Sequence, residues 1–145
     1  MTAKEMWDLF TMREGVAAEY EAWAFGGDPD GLAALILKRG KTATSSALAL
    51  YEAEEAPLPR EGEYSVILDS RDAAVCVIRT VRVYTTPFDR VSPAHAWKEG
   101  EGDRSLEHWR RVHRAFFSSE LKEIGQSFRE DMGVACEEFE LVFEP

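Results

Sequence analysis

Cationic side chains are the scarce charge in this sequence. Seventeen Lys and Arg stand against 27 Asp and Glu over 145 residues, a formal net charge of −10. That shortage argues against a protein that coats nucleic acid or anionic lipid through bulk electrostatics, since both need a cationic face. It leaves room for a small cationic pocket on an acidic body. Cysteine is also scarce. Cys76 sits in the apolar run Ala74-Val-Cys-Val-Ile78 and Cys136 follows Val134-Ala135, with no CxxC or Cys/His pattern of zinc spacing, so both read as buried free thiols in a reducing compartment. No run approaches the ~20 apolar residues of a membrane span, and the first residues lack the apolar core of a signal peptide. A cytoplasmic protein without membrane contact is expected. GxGxxG, HExxH and nucleophile-elbow patterns are missing, as are internal repeats and low-complexity tracts.

What is present suits one folded domain over residues 1–145. The hydrophobic share is 45% and the charged share 30%, and a chain of this length buries about two-thirds of its unfolded surface. Apolar residues from Met6 to Tyr20 recur at helical spacing, predicting an amphipathic helix over about 3–22. A second helix is expected from an Asp30 cap through Leu37, stopped by Gly40. Thr42–Tyr51 reads as extended, and Pro57–Gly62 as a loop. Tyr64–Asp69 and Ala74–Thr86 read as strands joined by a turn at Ser70-Arg71-Asp72. Ser92-Pro93 predicts an N-cap and a short helix over 93–98. After a Glu99–Asp103 loop, Asp103 or Ser105 caps a long helix ending at Gly125, and Phe139–Phe143 is a last strand. Without regular βαβ alternation the fold class is α+β: a small curved mixed sheet or partial barrel with helices against one side and one end.

Four segments can carry chemistry. Leu37–Ser46 holds Lys38, Arg39 and Lys41 beside a glycine and four hydroxyls, without an acid. It suits an anion or a polar heterocycle, or else is a helix C-terminus whose cations complement the dipole. It is not a Walker loop, because position 35 is Leu. Ala96–Ser105 alternates Glu99, Glu101 and Asp103 with two glycines, as a source of a general base or as a capping loop. On the helix from Arg104 to Phe117, the arginines either line a pocket mouth or pair with the acidic surface. His108 and His113 lie five apart and are splayed, which argues against a two-His metal site. Trp23-Ala-Phe25-Gly26 is either a stacking wall for a base or a core plug.

At Trp23-Ala-Phe25-Gly26, Ile36-x-x-x-Gly40-Lys41-Thr42-Ala43-Thr44, Leu58-Pro59-x-x-Gly62, Pro87-Phe88-x-x-Val91, Glu99–Ser105 and Trp109-Arg-x-x-His113-x-x-Phe116-Phe117, the sequence resembles the ASCH family, in its longer bacterial branch. The resemblance spans about residues 20–143. It implies a PUA-like mixed β-barrel, a pseudobarrel with helices packed around it, and a cleft that binds a nucleoside, a nucleotide or single-stranded RNA without a cofactor or metal. One branch of the family hydrolyses the amide of N4-acetylcytidine with a Lys-x-x-Thr pair and a Glu. Those types match Lys41 and Thr44, with Glu99 as first choice for the acid and Glu101 as second. Another bacterial member is similar to a single-strand ribonuclease whose lysine also falls at Lys41, but the Tyr that precedes it has no counterpart over 32–40. A non-catalytic regulatory binding module is the remaining alternative. Trp23, Phe25, Gly26, Thr42, Ser45, Glu101, Arg104, Arg110 and His113 are the expected ligand-binding residues.

Overall fold

The computed structural model describes all residues from Met1 to Pro145. The elements run α1 (Ala3–Glu14), β1 (Tyr20–Trp23), α2 (Pro29–Leu37), β2 (Ala43–Ala47), α3 (Leu48–Glu54), β3 (Tyr64–Leu68), β4 (Ala74–Pro87), a 3₁₀ turn (Phe88–Arg90), α4 (Pro93–Glu99), α5 (Leu106–Glu123) and β5 (Gly133–Phe143). One five-stranded sheet has the order β1-β3-β4-β5-β2. β1 pairs parallel to β3, and every other pair is antiparallel. No helix is long and apolar enough to cross a membrane.

The α+β class and the mixed sheet agree with the sequence, but the barrel is not closed. β1 and β2 are the two edges, and neither pairs with the other. The sheet still curves. A register shift between Thr80 and Arg82 leaves Val81 outside the β4–β5 ladder, and such bulges bend the strand that carries them.

Alternation along the strands divides the core. Val66 and Val77 meet Met6, Trp7 and Phe10 of α1, while Ile67, Cys76 and Ile78 meet Phe25 and the α2 residues Ala33 and Ile36. A third cluster joins Ala47, Val134 and Cys136 of the sheet to Ala96 of α4 and to Trp109 and Phe117 of α5. Both cysteines are buried and unpaired.

Several expected boundaries move. The first helix stops at Gly15, whose N–H bonds to the Thr11 carbonyl at 2.9 Å, so Tyr20–Trp23 is free to form β1 beside β3. Asp28, not Asp30, caps α2; Asp30 instead accepts from the Ser70 amide and hydroxyl at 2.8 Å. The left-handed residue after α2 is Arg39, φ 65°, rather than Gly40. The extended segment after Thr42 ends at Ala47 and turns helical at Leu48, with Leu50 packed against the cluster around Phe88 and Trp109. β5 begins six residues earlier than expected, at Gly133, where its first half pairs with β2. The β3–β4 hairpin, the Ser92 cap, α4 and the Ser105 cap of α5 fall where the sequence puts them.

One close approach fixes the loop after α4 against the loop before β2. Gly100 has φ 74°, and a Cβ there would overlap the Gly40 carbonyl. The Thr42 amide and hydroxyl both donate to the Lys98 carbonyl, at 2.7 and 3.4 Å. Gly100→Ala is therefore expected to cost more than the roughly 1–3 kcal/mol of a strained backbone alone. Gly125 is the matched control, since it has φ 73° and nothing within 4 Å of its Cβ position. Urea midpoints should fall further for Gly100→Ala than for Gly125→Ala; equal losses would mean that the Gly40 contact contributes nothing.

Candidate functional site

A cavity of ≈ 1230 Å³ lies between the two edge strands of the sheet. Glu21, Ala22 and Trp23 of β1 line one side and Thr44, Ser45 and Ser46 of β2 the other. His113 and Phe116 of α5 and Glu99 of α4 complete the wall.

Its floor is a buried polar network centred on Glu99. Glu99 is 1% exposed and Lys41 2% exposed. The Lys41 ammonium lies 3.4 Å from Glu99 Oε1 and 3.1 Å from Glu101 Oε2, and 5.3 Å above the Phe25 ring. Glu99 Oε2 accepts from the Ser45 hydroxyl at 2.6 Å and from Trp109 Nε1. His95 Nε2 lies 3.0 Å from that same oxygen and 2.7 Å from Ser45 Oγ. Burial pushes the Glu99 carboxyl up, but the Lys41 charge and the His113 and His95 hydrogen bonds outweigh it and hold the group well below the usual carboxylate range.

The hydrogen bonds assign the protons on the two histidines. Ser45 gives its proton to Glu99, so its oxygen accepts from His95 Nε2–H. His95 Nδ1 is buried with no partner, which suits an unprotonated nitrogen better than an orphaned N–H. His113 Nδ1 faces the Trp109 carbonyl at 2.9 Å and Nε2 faces Glu99 Oε1 at 3.4 Å. Acceptors facing both ring nitrogens favour the protonated form of His113. Its ring stacks on Trp109 at 4.2 Å, a favourable seat for a cation. Burial pushes the His113 pKa down, while the Glu99 hydrogen bond and charge raise it further, for a net rise.

The expected site residues separate into two groups. Lys41, Thr44, Ser45, Glu99, Glu101, His113, Trp23, Phe25 and Gly26 all line the cavity. Gly26 is there for space, since a Cβ would come within 2.6 Å of Phe116 Cζ. The Thr44 hydroxyl makes no hydrogen bond within the protein, whereas Ser45 is committed to Glu99 and His95. Thr42, Arg104 and Arg110 do not line the cavity. Thr42 is an exposed strut to Lys98. Arg104 stacks on Trp97 at 4.0 Å and donates to its carbonyl. Arg110 lies in a separate shallow depression on α5 with Arg111 and Arg114. The cations of 37–46 do not converge on an anion either: Lys38 is exposed, Arg39 pairs with Glu144 at 3.6 Å, and Lys41 is held by carboxylates.

Sequence reasoning missed His95 and the hydrogen-bonding role of Trp109. Both carried a signal: His95–Glu99 and Trp109–His113 are i, i+4 pairs on helices. Glu99, Glu101 and His113 bring ligand atoms within 4.8 Å of one another, but a divalent cation there must displace the ammonium that already bridges both carboxylates.

The family model for the ASCH domain matches residues 21–143. The chain belongs to the ASCH family. A crystal structure of an ASCH domain from Lactobacillus crispatus is 30% identical, with a TM-score of 0.88 over 95% of this chain and 92% of that one. A crystal structure of an Enterococcus faecalis protein is 33% identical, with a TM-score of 0.89 over 96% and 86%. No curated protein matches the sequence. The match spans the whole floor network of this ASCH domain, from Lys41 to His113.

Two outcomes follow from the network. Lys41→Met strands a buried carboxylate and is expected to cost about 3–5 kcal/mol. The double variant Lys41→Met/Glu99→Gln removes both charges and should lose less, as read from urea midpoints; an equal or larger loss would show that charge compensation is not what Lys41 provides. The second outcome is a pH dependence. A group with a raised folded pKa stabilises fully below its unfolded value, about 6.5 for histidine, and loses that contribution as pH rises through the folded value. Wild-type stability should therefore decline above about pH 6.5 on account of His113, and His113→Gln should flatten that part of the profile.

Proposed function

We propose that this ASCH domain binds a nucleoside in the cleft between β1 and β2 and hydrolyses an acyl amide at its N4 position, as in an N4-acylcytidine. The observation that carries this reading is the Lys41–Glu99 pair, almost fully buried at the floor of a cavity that the unbonded Thr44 hydroxyl also lines. Buried pairs of this kind rarely repay their desolvation, whereas reactive centres need them.

The chemistry assigns different work to each group. Glu99, ionised and met by several donors, orients Lys41 and does not give up a proton. Glu101, half-buried, is the second carboxylate on the Lys41 nitrogen, at 3.1 Å. In its amine form Lys41 takes the Thr44 proton as Thr44 Oγ bonds to the acyl carbon. The C–N4 bond then breaks, and the proton returns through Lys41 to N4, releasing the free amine. Water reverses the exchange: it gives a proton to the Lys41 amine, cleaves the threonyl ester to a carboxylic acid, and restores the Thr44 hydroxyl. Trp23 offers a stacking surface for the base. The reaction suits the cytoplasm, where Cys76 and Cys136 remain thiols.

The ribonuclease reading shares Lys41 but lacks the preceding tyrosine, and no free cation reaches the cleft. Thr44 gives the cleaner test, because its hydroxyl supports nothing in the fold. Thr44→Val is expected to keep the wild-type urea midpoint and lose about 10²-fold or more in turnover of N4-acetylcytidine, while Thr44→Ser retains activity. Full turnover in Thr44→Val would refute the nucleophile. Nucleoside binding without turnover in the wild type would reduce the domain to a binding module.

A further inference from the structure

The charge around the cleft is opposite to what a phosphate needs. Lys41 is the one lysine or arginine that lines it, and that charge is already matched by Glu99 and Glu101. Higher in the cavity, Glu21 of β1, Glu54 of α3, Glu63 before β3 and Glu120 of α5 face the same space from four directions. None of the four has a salt-bridge partner, although Arg39, Arg79, Arg82, Lys98, Arg114 and Arg129 all pair elsewhere. These carboxylates are not a site of their own; they set the potential that a ligand meets inside a concave, low-dielectric cleft, where field lines are focused. Their mutual influence is visible in neighbouring groups. Burial, with Glu123 and Glu54 nearby, raises the Glu120 pKa. Burial also raises that of Glu137, whose Thr80 hydrogen bond is offset by Glu63 and Glu21.

We infer that the cleft selects uncharged or cationic nucleoside derivatives and rejects phosphorylated ones, so that it acts on free nucleosides rather than on nucleotides or RNA strands. This rests on the nucleoside reading above and sharpens it to a substrate class. A 5′-phosphate brings two negative charges within a Debye length, about 8 Å at physiological salt, of several unpaired carboxylates. An amine on the acyl group reverses that sign and gains from the same wall. The shortage of cations in the whole chain has its local counterpart here: every lysine and arginine that a phosphate would seek is either outside the cavity or already paired within it.

The test compares cytidine with cytidine 5′-monophosphate by titration calorimetry on the full chain, at low salt and at 0.5 M NaCl, a concentration at which the Debye length is roughly halved. Cytidine should bind at least about tenfold more tightly at low salt, the size of effect that a few repelling pairs produce. The gap should shrink at high salt. The variant Glu54→Gln/Glu63→Gln/Glu120→Gln should narrow it further by improving monophosphate binding more than cytidine binding. In turnover, N4-glycylcytidine, which carries an ammonium, should gain over N4-acetylcytidine in the wild type and lose that advantage in the triple variant. Equal or tighter binding of the monophosphate, with cytidine also bound, would overturn the charge selection and leave the nucleoside site standing. Binding of neither would overturn the nucleoside reading and this inference together.

Discussion

A carboxylate with almost no access to water has to be met by donors, and Glu99 collects them from several segments of the site. Ser45 comes from β2, Lys41 from the loop before it, and Trp109 and His113 from α5, with His95 of α4 bonded to the Ser45 hydroxyl beside them. Each bond ties a different piece of chain to one buried point. The positions of α4 and α5 against the edge of the sheet are therefore set as much by this polar centre as by the apolar cluster of Phe88, Trp109 and Phe117 beneath it. An apolar residue of similar size in place of each partner would be at least as stable by general experience with buried pairs. What an apolar core cannot supply is a fixed set of charges and protons facing a cavity.

That cavity exists because the sheet stops short of closure. Two edge strands that paired would satisfy each other's main-chain groups and remove the edges. Here β1 runs parallel to β3 and β2 antiparallel to β5, and the unpaired seam between them is the mouth of the cleft. Side chains from both edges then reach one ligand-sized space, with α5 as its back wall. The Gly100–Gly40 contact and the Thr42–Lys98 hydrogen bonds serve the same end. They lock the loop carrying Lys41 against the helix end carrying Glu99, two segments 58 residues apart in the chain.

Much of this was legible in the residues, and the misses have physical reasons. Helices and strands with strong local signals were readable: the Ser92-Pro93 start of α4, the Ser105 cap of α5, and the valine-rich β4. β1 was hidden because Tyr20 continues the apolar spacing of α1, and only its pairing with β3 makes it a strand. α3 was hidden because Thr42–Ala47 has strand propensity right up to Leu48. In the site, Lys41, Thr44 and Glu99 were named from family resemblance, and they share one cavity. Arg104 and Arg110 lie outside that cavity, because composition shows where cations fall along the chain, not which way they point. His95 was overlooked because its i, i+4 spacing to Glu99 is a signal shared by many solvent-exposed helix pairs, and only the burial of both residues turns it into part of a network.

The protons in the network set a further constraint. Lys41 and a protonated His113 face the carboxylates of Glu99 and Glu101, so opposite charges balance across the floor. A neutral cluster is much less costly to keep away from water than an isolated ion. It also means that any proton moved within the floor leaves the sum unchanged, and that the cleft can close over a ligand without importing an ion to balance it. The unpaired carboxylates nearer the opening are outside this balance. The excess of acid over base in the sequence thus reaches the ligand only at the rim, and the floor beneath it is reserved for the chemistry of one exchangeable proton.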